Sequence, residues 1–215
     1  WRRGAVATLR VTGVTEFASL ALPILALGPS VGTPPSGITA EVVEVRSFEH
    51  LRSLGDIVKG KIIFFNQPMD RSLVRTGDAY GQAVRQRTRG AVEAAKAGGV
   101  AAIVRSMTTL LDDHPHTGAM GYEDGVEKIP AAAVSTLGAE RLSRALENEP
   151  SLKLRLQLDC QSFPDVPSAS VVGEYRGAEK PDEIIVVGGH LDSWDVNQGA
   201  HDDGAGVVQS IEVLR

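Results

Sequence analysis

The stretch GGHLDSWDVNQGAHDDGAG, Gly188 to Gly206, gathers His190, Asp192, Asp195, His201, Asp202 and Asp203. Imidazole nitrogen and carboxylate oxygen together suit zinc. In His190-x-Asp192, alternate residues of an extended segment share a face, so the Asp192 carboxylate can accept a hydrogen bond from the ring nitrogen that does not hold metal. Such a contact fixes the tautomer and raises the basicity of the ring. Further on, Asp202 follows Gly199-Ala200 at an expected helix N-terminus, and a carboxylate can bridge two cations about 3.5–4 Å apart. Each piece also has a plain structural reading: an isolated H-x-D is commonly a surface or N-cap pair, and DDG a turn or helix cap. Metal is favoured by their joint occurrence past an uninterrupted apolar run, with glycines on both sides.

That run is EIIVVGGH, Glu183 to His190, which reads as a strand buried on both faces. Ligands of α/β proteins bind outside the carboxyl ends of such strands. From Asp203 onward Val207, Val208, Ile211 and Leu214 recur at helical spacing, and SVVGEY, Ser170 to Tyr175, reads as a further short strand. Upstream, two Pro- and Gly-rich or Pro-rich stretches, Gly28 to Gly37 and Ser162 to Ser168, bound a block of alternating elements. Within it Ile38–Val45, Lys61–Asn66, Val100–Ser106 and Ile129–Ser135 are expected strands. RGAVEAAKAG is expected to be a helix stopped by Gly98-Gly99, and TLGAERLSRALEN a helix capped by Thr136. LKLRLQLDC, Leu152 to Cys160, alternates strictly and is expected as an edge strand. ATLRVTG and ILALG near the start are expected to be strands of the same sheet as Glu183–His190, joined by a short turn.

The 215 residues, with 22 Lys+Arg against 27 Asp+Glu and 42% hydrophobic content, are ordinary for a globular chain. The net charge of −5 and the lack of a basic block leave no footprint for a phosphate backbone, so nucleic acid is not an expected partner. The apolar stretch Phe17 to Leu27 is broken by Ser19 and Pro23 and is far short of the roughly 20 residues a membrane span needs. No export signal is recognisable in Trp1 to Gly13, so any such signal is expected to be removed or to lie outside the chain. The lone Cys160 rules out an internal disulfide and a thiolate zinc site and reads as a small buried apolar residue.

The string HLDSWDVNQGAHDDGAG resembles the first metal motif of the aminopeptidase/glutamate carboxypeptidase family of zinc exopeptidases. The likeness extends upstream through Gly32–Pro35, GITAEV (Gly37–Val42), GKI with NQP (Gly60–Pro68), RGAVEAAK (Arg89–Lys96), Ile103–Ser106, PHTG (Pro115–Gly118) and DGVEKIP (Asp124–Pro130). The resemblance implies an α/β fold: a mixed-sheet, phosphorylase/hydrolase-like catalytic domain with an inserted α/β protease-associated domain. The corresponding division is 1–36 catalytic, 37–163 insert and 164–215 catalytic sheet resumed. It implies further that His190 ligates one zinc, Asp202 bridges two, and Asp192 orients His190 as the catalytic carboxylate. Asp203 is expected to start the helix and His201 not to be a ligand. Trp194 and Asp195 are expected either to shape the substrate pocket or to be a packed indole and a turn former. His116, within PHTG, is a candidate substrate contact, and the His114-Pro-His116 pair otherwise reads as an ordered surface loop.

The family's Glu-Glu pair, which supplies the general base and a ligand, and its later Asp or Glu and final His have no counterpart here. Glu93 and Glu123 sit in the insert, in the wrong context. The chain is therefore expected to be the amino-terminal portion of a two-zinc enzyme acting on dipeptides or short peptides, inactive by itself. A homodimer through the missing catalytic region and an exported location, secreted, periplasmic or lysosomal, are what the family implies. The alternative is a non-catalytic protease-associated module that binds peptides or covers an active site.

Overall fold

The computed structural model describes residues 1–13, 16–17 and 20–215 and divides into two units, Trp1–Phe163 and Pro164–Arg215. The first unit carries strands β1 (Ala7–Thr12), β2 (Ala21–Leu22), β3 (Ile24–Ala26), β4 (Ile38–Val45), β5 (Ile62–Phe65), β6 (Ala101–Arg105), β7 (Ala131–Val134) and β8 (Lys153–Leu158). Its helices are α1 (Phe48–Ser53), α2 (Thr76–Lys96) and α3 (Thr136–Asn148). The strands form one mixed sheet in the order β2-β1-β8-β4-β5-β6-β7-β3. Neighbours from β4 to β7 are parallel, and β1, β2, β3 and β8 pair antiparallel. Only Pro23 separates β2 from β3, although they end opposite edges of that order. The chain thus links the two edges, and Leu22 and Ile24 enter one apolar cluster. Proline suits this place because it has no N–H to leave unpaired at an edge.

Successive residues of the central strands feed two cores. Ile62 and Phe64 pack with Leu154, Leu156 and the α3 residues Ala139, Leu142 and Ala145. Ile63 and Phe65 face the other way, onto Leu51 of α1 and Ala91 and Ala94 of α2. Helices on one side and a helix with sheet on the other explain why β5, β6 and β7 are buried along their whole length and read as continuous apolar runs. Phe48 closes the second core edge-on against Phe65, with ring centroids 5.7 Å apart.

Several elements differ from what the sequence led one to expect. α2 begins at Thr76, well before Arg89, because its first half buries only Ala79, Ala83 and Gln86 and so shows no apolar stripe. The cap of α3 is Ser135, whose Oγ accepts from the Gly138 N–H at 2.9 Å. Thr136 instead begins the helix, and its Oγ1 accepts from the Asp112 N–H at 2.9 Å. β8 is not an edge strand: it lies between β1 and β4. Its alternation, with Lys153 and Arg155 exposed and Leu154, Leu156 and Leu158 buried, reports one solvated face rather than a missing neighbour. β1 and β3 pair with β8 and β7, not with any strand near His190, and the turn expected between them falls partly on residues 14, 15, 18 and 19, outside the described residues.

In the second unit, among the described residues, Ser170–Tyr175 and Glu183–His190 form no strand. Val171, Ile184, Ile185 and Val186 are 84–90% exposed. The composition is that of buried strands, but a strand needs a neighbour to take its N–H and C=O groups, and the unit supplies none. Gly199 then takes a left-handed conformation, φ 67°, and leads into a wide π-type turn, Ala200–Gly204, continued by α4 (Ala205–Val213). The helix expected after Asp203 is thus present. No helix among the described residues is long and apolar enough to cross a membrane.

Candidate metal centre

Two close backbone approaches bring His190 to Asp202. A Cβ at Gly189 would lie 2.6 Å from the Val207 nitrogen, and one at Gly199 would lie 2.6 Å from the Ser193 Cβ. Without side chains, the segment before His190 rests against the first turn of α4, and the 193–199 loop folds back over itself. The result sets His190 Nε2 and Asp202 Oδ1 2.9 Å apart. On the other side of the ring, Nδ1 lies 2.9 Å from the backbone oxygen of Asp192 and 3.4 Å from its carboxylate. With Nδ1–H donating to that carbonyl, Nε2 is the ring nitrogen turned toward Asp202. The Asp192 carbonyl first, then Asp202 and the Asp192 charge, hold the His190 pKa above its ordinary value, against a smaller desolvation effect.

Asp203 does what a helix-start carboxylate does, with Oδ1 accepting from the Gly206 N–H at 3.2 Å, and its Oδ2 also accepts from the His190 N–H at 3.3 Å. His190, Asp192, Ser193, Gly199 and Asp203 help line an open depression of about 270 Å³. Trp194 and Asp195 belong to the adjoining turn, where the Trp194 carbonyl accepts from the Asn197 N–H at 2.8 Å, and neither lines the depression. His201 is exposed in the π-type turn.

The remaining candidates lie in the first unit. His116 is exposed, and its backbone N–H is pinned by the buried Ser106 Oγ at 2.8 Å. His114 turns to Asp112 instead, at 3.8 Å. Glu123 pairs with Lys96 and Arg89, and Glu93 with Arg52, so both serve the surface of α2 and its neighbours. Cys160 is 7% exposed. Sequence reasoning missed the second hydrogen bond of Asp203. The signal for it was Gly189 and Gly206, two glycines at positions where a side chain would collide with that carboxylate.

Zinc takes three or four protein donors, nitrogen and oxygen among them. His190 Nε2 and the Asp202 carboxylate fit it in kind and make up half of such a set. Among the described residues no three His, Cys, Asp or Glu side chains are placed so as to hold a metal ion together.

Residues 170–215, the segment that holds this pair, match the model of peptidase family M28. The more particular likeness is to carboxypeptidase Q. The human protein is 43% identical over 193 residues, which are 90% of this chain and 39% of that protein. The Xenopus laevis protein is 42% identical over 214 residues, 100% of this chain and 43% of its own. Among solved structures, the peptidase M28 precursor of Shewanella amazonensis SB2B matches with a TM-score of 0.86 at 37% identity, over 94% of this chain and 45% of that one. The chain is similar to the carboxypeptidase Q peptidases over nearly its whole length and to family M28 over residues 170–215, and it spans about two fifths of the length of the relatives it matches.

Proposed function

We propose that the protein is a zinc-dependent exopeptidase that hydrolyses dipeptides or short peptides, with His190 and Asp202 as ligands of a two-zinc centre. The observation that carries this reading is the 2.9 Å convergence of His190 Nε2 and Asp202 Oδ1 within the M28 segment. Bound zinc would polarise the scissile carbonyl and make water a nucleophile near neutral pH. The chain's own contribution is to orient donors: the Asp192 carbonyl and carboxylate hold Nδ1 of His190, which turns Nε2 toward Asp202, and the Asp202 carboxylate would be the group shared between the cations. A general base and further ligands would come from residues outside the chain. Trp194, Asp195 and His116 are proposed as substrate contacts, and an exported location and a homodimer go with the same reading.

Residues 37–163 are proposed as a protease-associated insert, with β1 to β3 from the preceding segment completing its sheet, and residues 164–215 as catalytic sequence. A second reading, a non-catalytic peptide-binding module, is favoured by one observation: Trp1–Phe163 builds both apolar cores without any residue of the second unit. The discriminating experiment substitutes His190→Ala and Asp202→Ala in the full-length protein and assays dipeptide hydrolysis with zinc. Loss of activity with an unchanged circular dichroism spectrum supports the enzyme. Retained activity in both variants overturns the ligand assignment, and an unsubstituted protein that binds peptide but never cleaves it supports the module.

A further inference from the structure

We propose that Asp203 is a positioning residue that fixes the spacing of the two zinc donors, a role beyond starting α4; the inference rests on the zinc reading above. An N-cap needs one acceptor oxygen, and Oδ1 fills that need on the Gly206 N–H at 3.2 Å. The other oxygen reaches outside the helix to the backbone N–H of His190 at 3.3 Å. Consecutive carboxylates therefore hold one histidine at both ends: Asp203 by its main chain and Asp202 by Nε2 of its ring, at 2.9 Å. These contacts, closed through the Asp202–Asp203 peptide, leave the imidazole little freedom to move away from Asp202.

The surrounding backbone is cleared for this carboxylate. A Cβ at Gly189 would come 2.9 Å from Asp203 Oδ2 and 2.6 Å from the Val207 nitrogen, and a Cβ at Gly206 would come 2.6 Å from the same Oδ2. Neither distance is compatible with an ordinary side chain. A simple helix cap would not require a bare residue at 189, because Gly189 lies in the preceding extended segment. The bare position lets this segment lie against the α4 backbone at Gly206 and Val207, and it is along that approach that the His190 N–H reaches the carboxylate.

Asp203→Ser separates the two roles. Serine keeps an N-capping oxygen for Gly206 but has no second acceptor for His190. Two readouts apply, both on the full-length protein: amide hydrogen exchange at His190 and Gly206, which needs no metal, and the zinc dissociation constant by competition with a chromophoric chelator. The expected result is faster exchange at His190 with Gly206 unchanged, and zinc affinity weakened roughly ten- to hundred-fold, the range for lost partners of metal ligands. A His190 amide that exchanges no faster in Asp203→Ser overturns the clasp, and zinc affinity within twofold of the unsubstituted protein overturns its positioning role. If the unsubstituted protein binds no zinc, the zinc reading itself fails, and the exchange measurement alone judges the clasp.

Discussion

Asp192 holds His190 more closely by its backbone oxygen, 2.9 Å from Nδ1, than by its carboxylate at 3.4 Å. The H-x-D spacing announced a side-chain contact, because side-chain types are what a sequence displays; that the main chain would make the shorter contact depends on the backbone path after Leu191. The consequence is an order of effects. Asp192→Ala leaves the carbonyl in place and should weaken zinc binding by about tenfold, the mild end for an outer partner, whereas Asp202→Ala removes a donor and should abolish measurable binding in the same chelator competition. Cys160 was legible as a buried apolar residue, and burial has a pH consequence there. Loss of hydration disfavours the thiolate and pushes the Cys160 pKa above its ordinary value, outweighing the pull of Arg3. The sign is such that the unreactive thiol persists through pH 8. An aromatic disulfide reagent should therefore modify Cys160 slowly in the native protein and rapidly in urea, and equal rates would refute its burial.

Helix α3 shows how a local rule can reverse in context. Replacing a helical glycine by alanine ordinarily stabilises by about 1 kcal/mol. Gly138 lies in the first turn, where a Cβ would sit 2.7 Å from the capping Ser135 Oγ and 2.9 Å from Val134 Cγ2. Gly138→Ala should thus destabilise the first unit by about 1–3 kcal/mol, the usual cost of overfilling a packed site. Ser135→Ala, which removes the cap itself, should cost about 1 kcal/mol. Both are measured by urea unfolding, and a stabilised Gly138→Ala would refute the steric argument. Among the elements, β5 to β7 could be read from sequence because strands buried on two faces must be apolar throughout, whereas the partly exposed β4 was bounded at Ile38 and Val45 by its β-branched residues between turn formers. The first half of α2 could not, since it packs only small residues and Gln86, whose side chain pairs with the Gln67 backbone at 3.0 and 2.8 Å instead of marking an apolar stripe. β8 was recognisable as a strand but not as an interior one, because alternation reveals which face is wet and says nothing of who stands beside it. Glu183–His190 failed in the opposite way: its composition is that of a buried strand, and pairing partners are not encoded in the strand itself.

At the scale of the whole chain the two units differ in how they bury apolar surface. Trp1–Phe163 holds the three apolar clusters and the eight-stranded sheet, and fully buried side chains such as Phe64, Leu142 and Leu156 each stabilise it by about 1.5–3 kcal/mol. Pro164–Arg215 leaves Val172, Ile185 and Val186 at least 86% exposed, and among its described residues hydrogen bonding is confined to short turns, the His190 site and α4. Opening a segment with few buried contacts costs little free energy, and proteases act where such opening is easy. Brief digestion of the chain should therefore cut first between Pro164 and Gln198 and leave a product ending near Phe163. Because that product keeps every strand and both principal cores, it should unfold cooperatively at the midpoint of the main transition of the intact chain. Mass spectrometry locates the cut and calorimetry compares the midpoints. A first cut within β4 to β8, or a product that has lost its transition, would show that the sheet depends on the residues after 163.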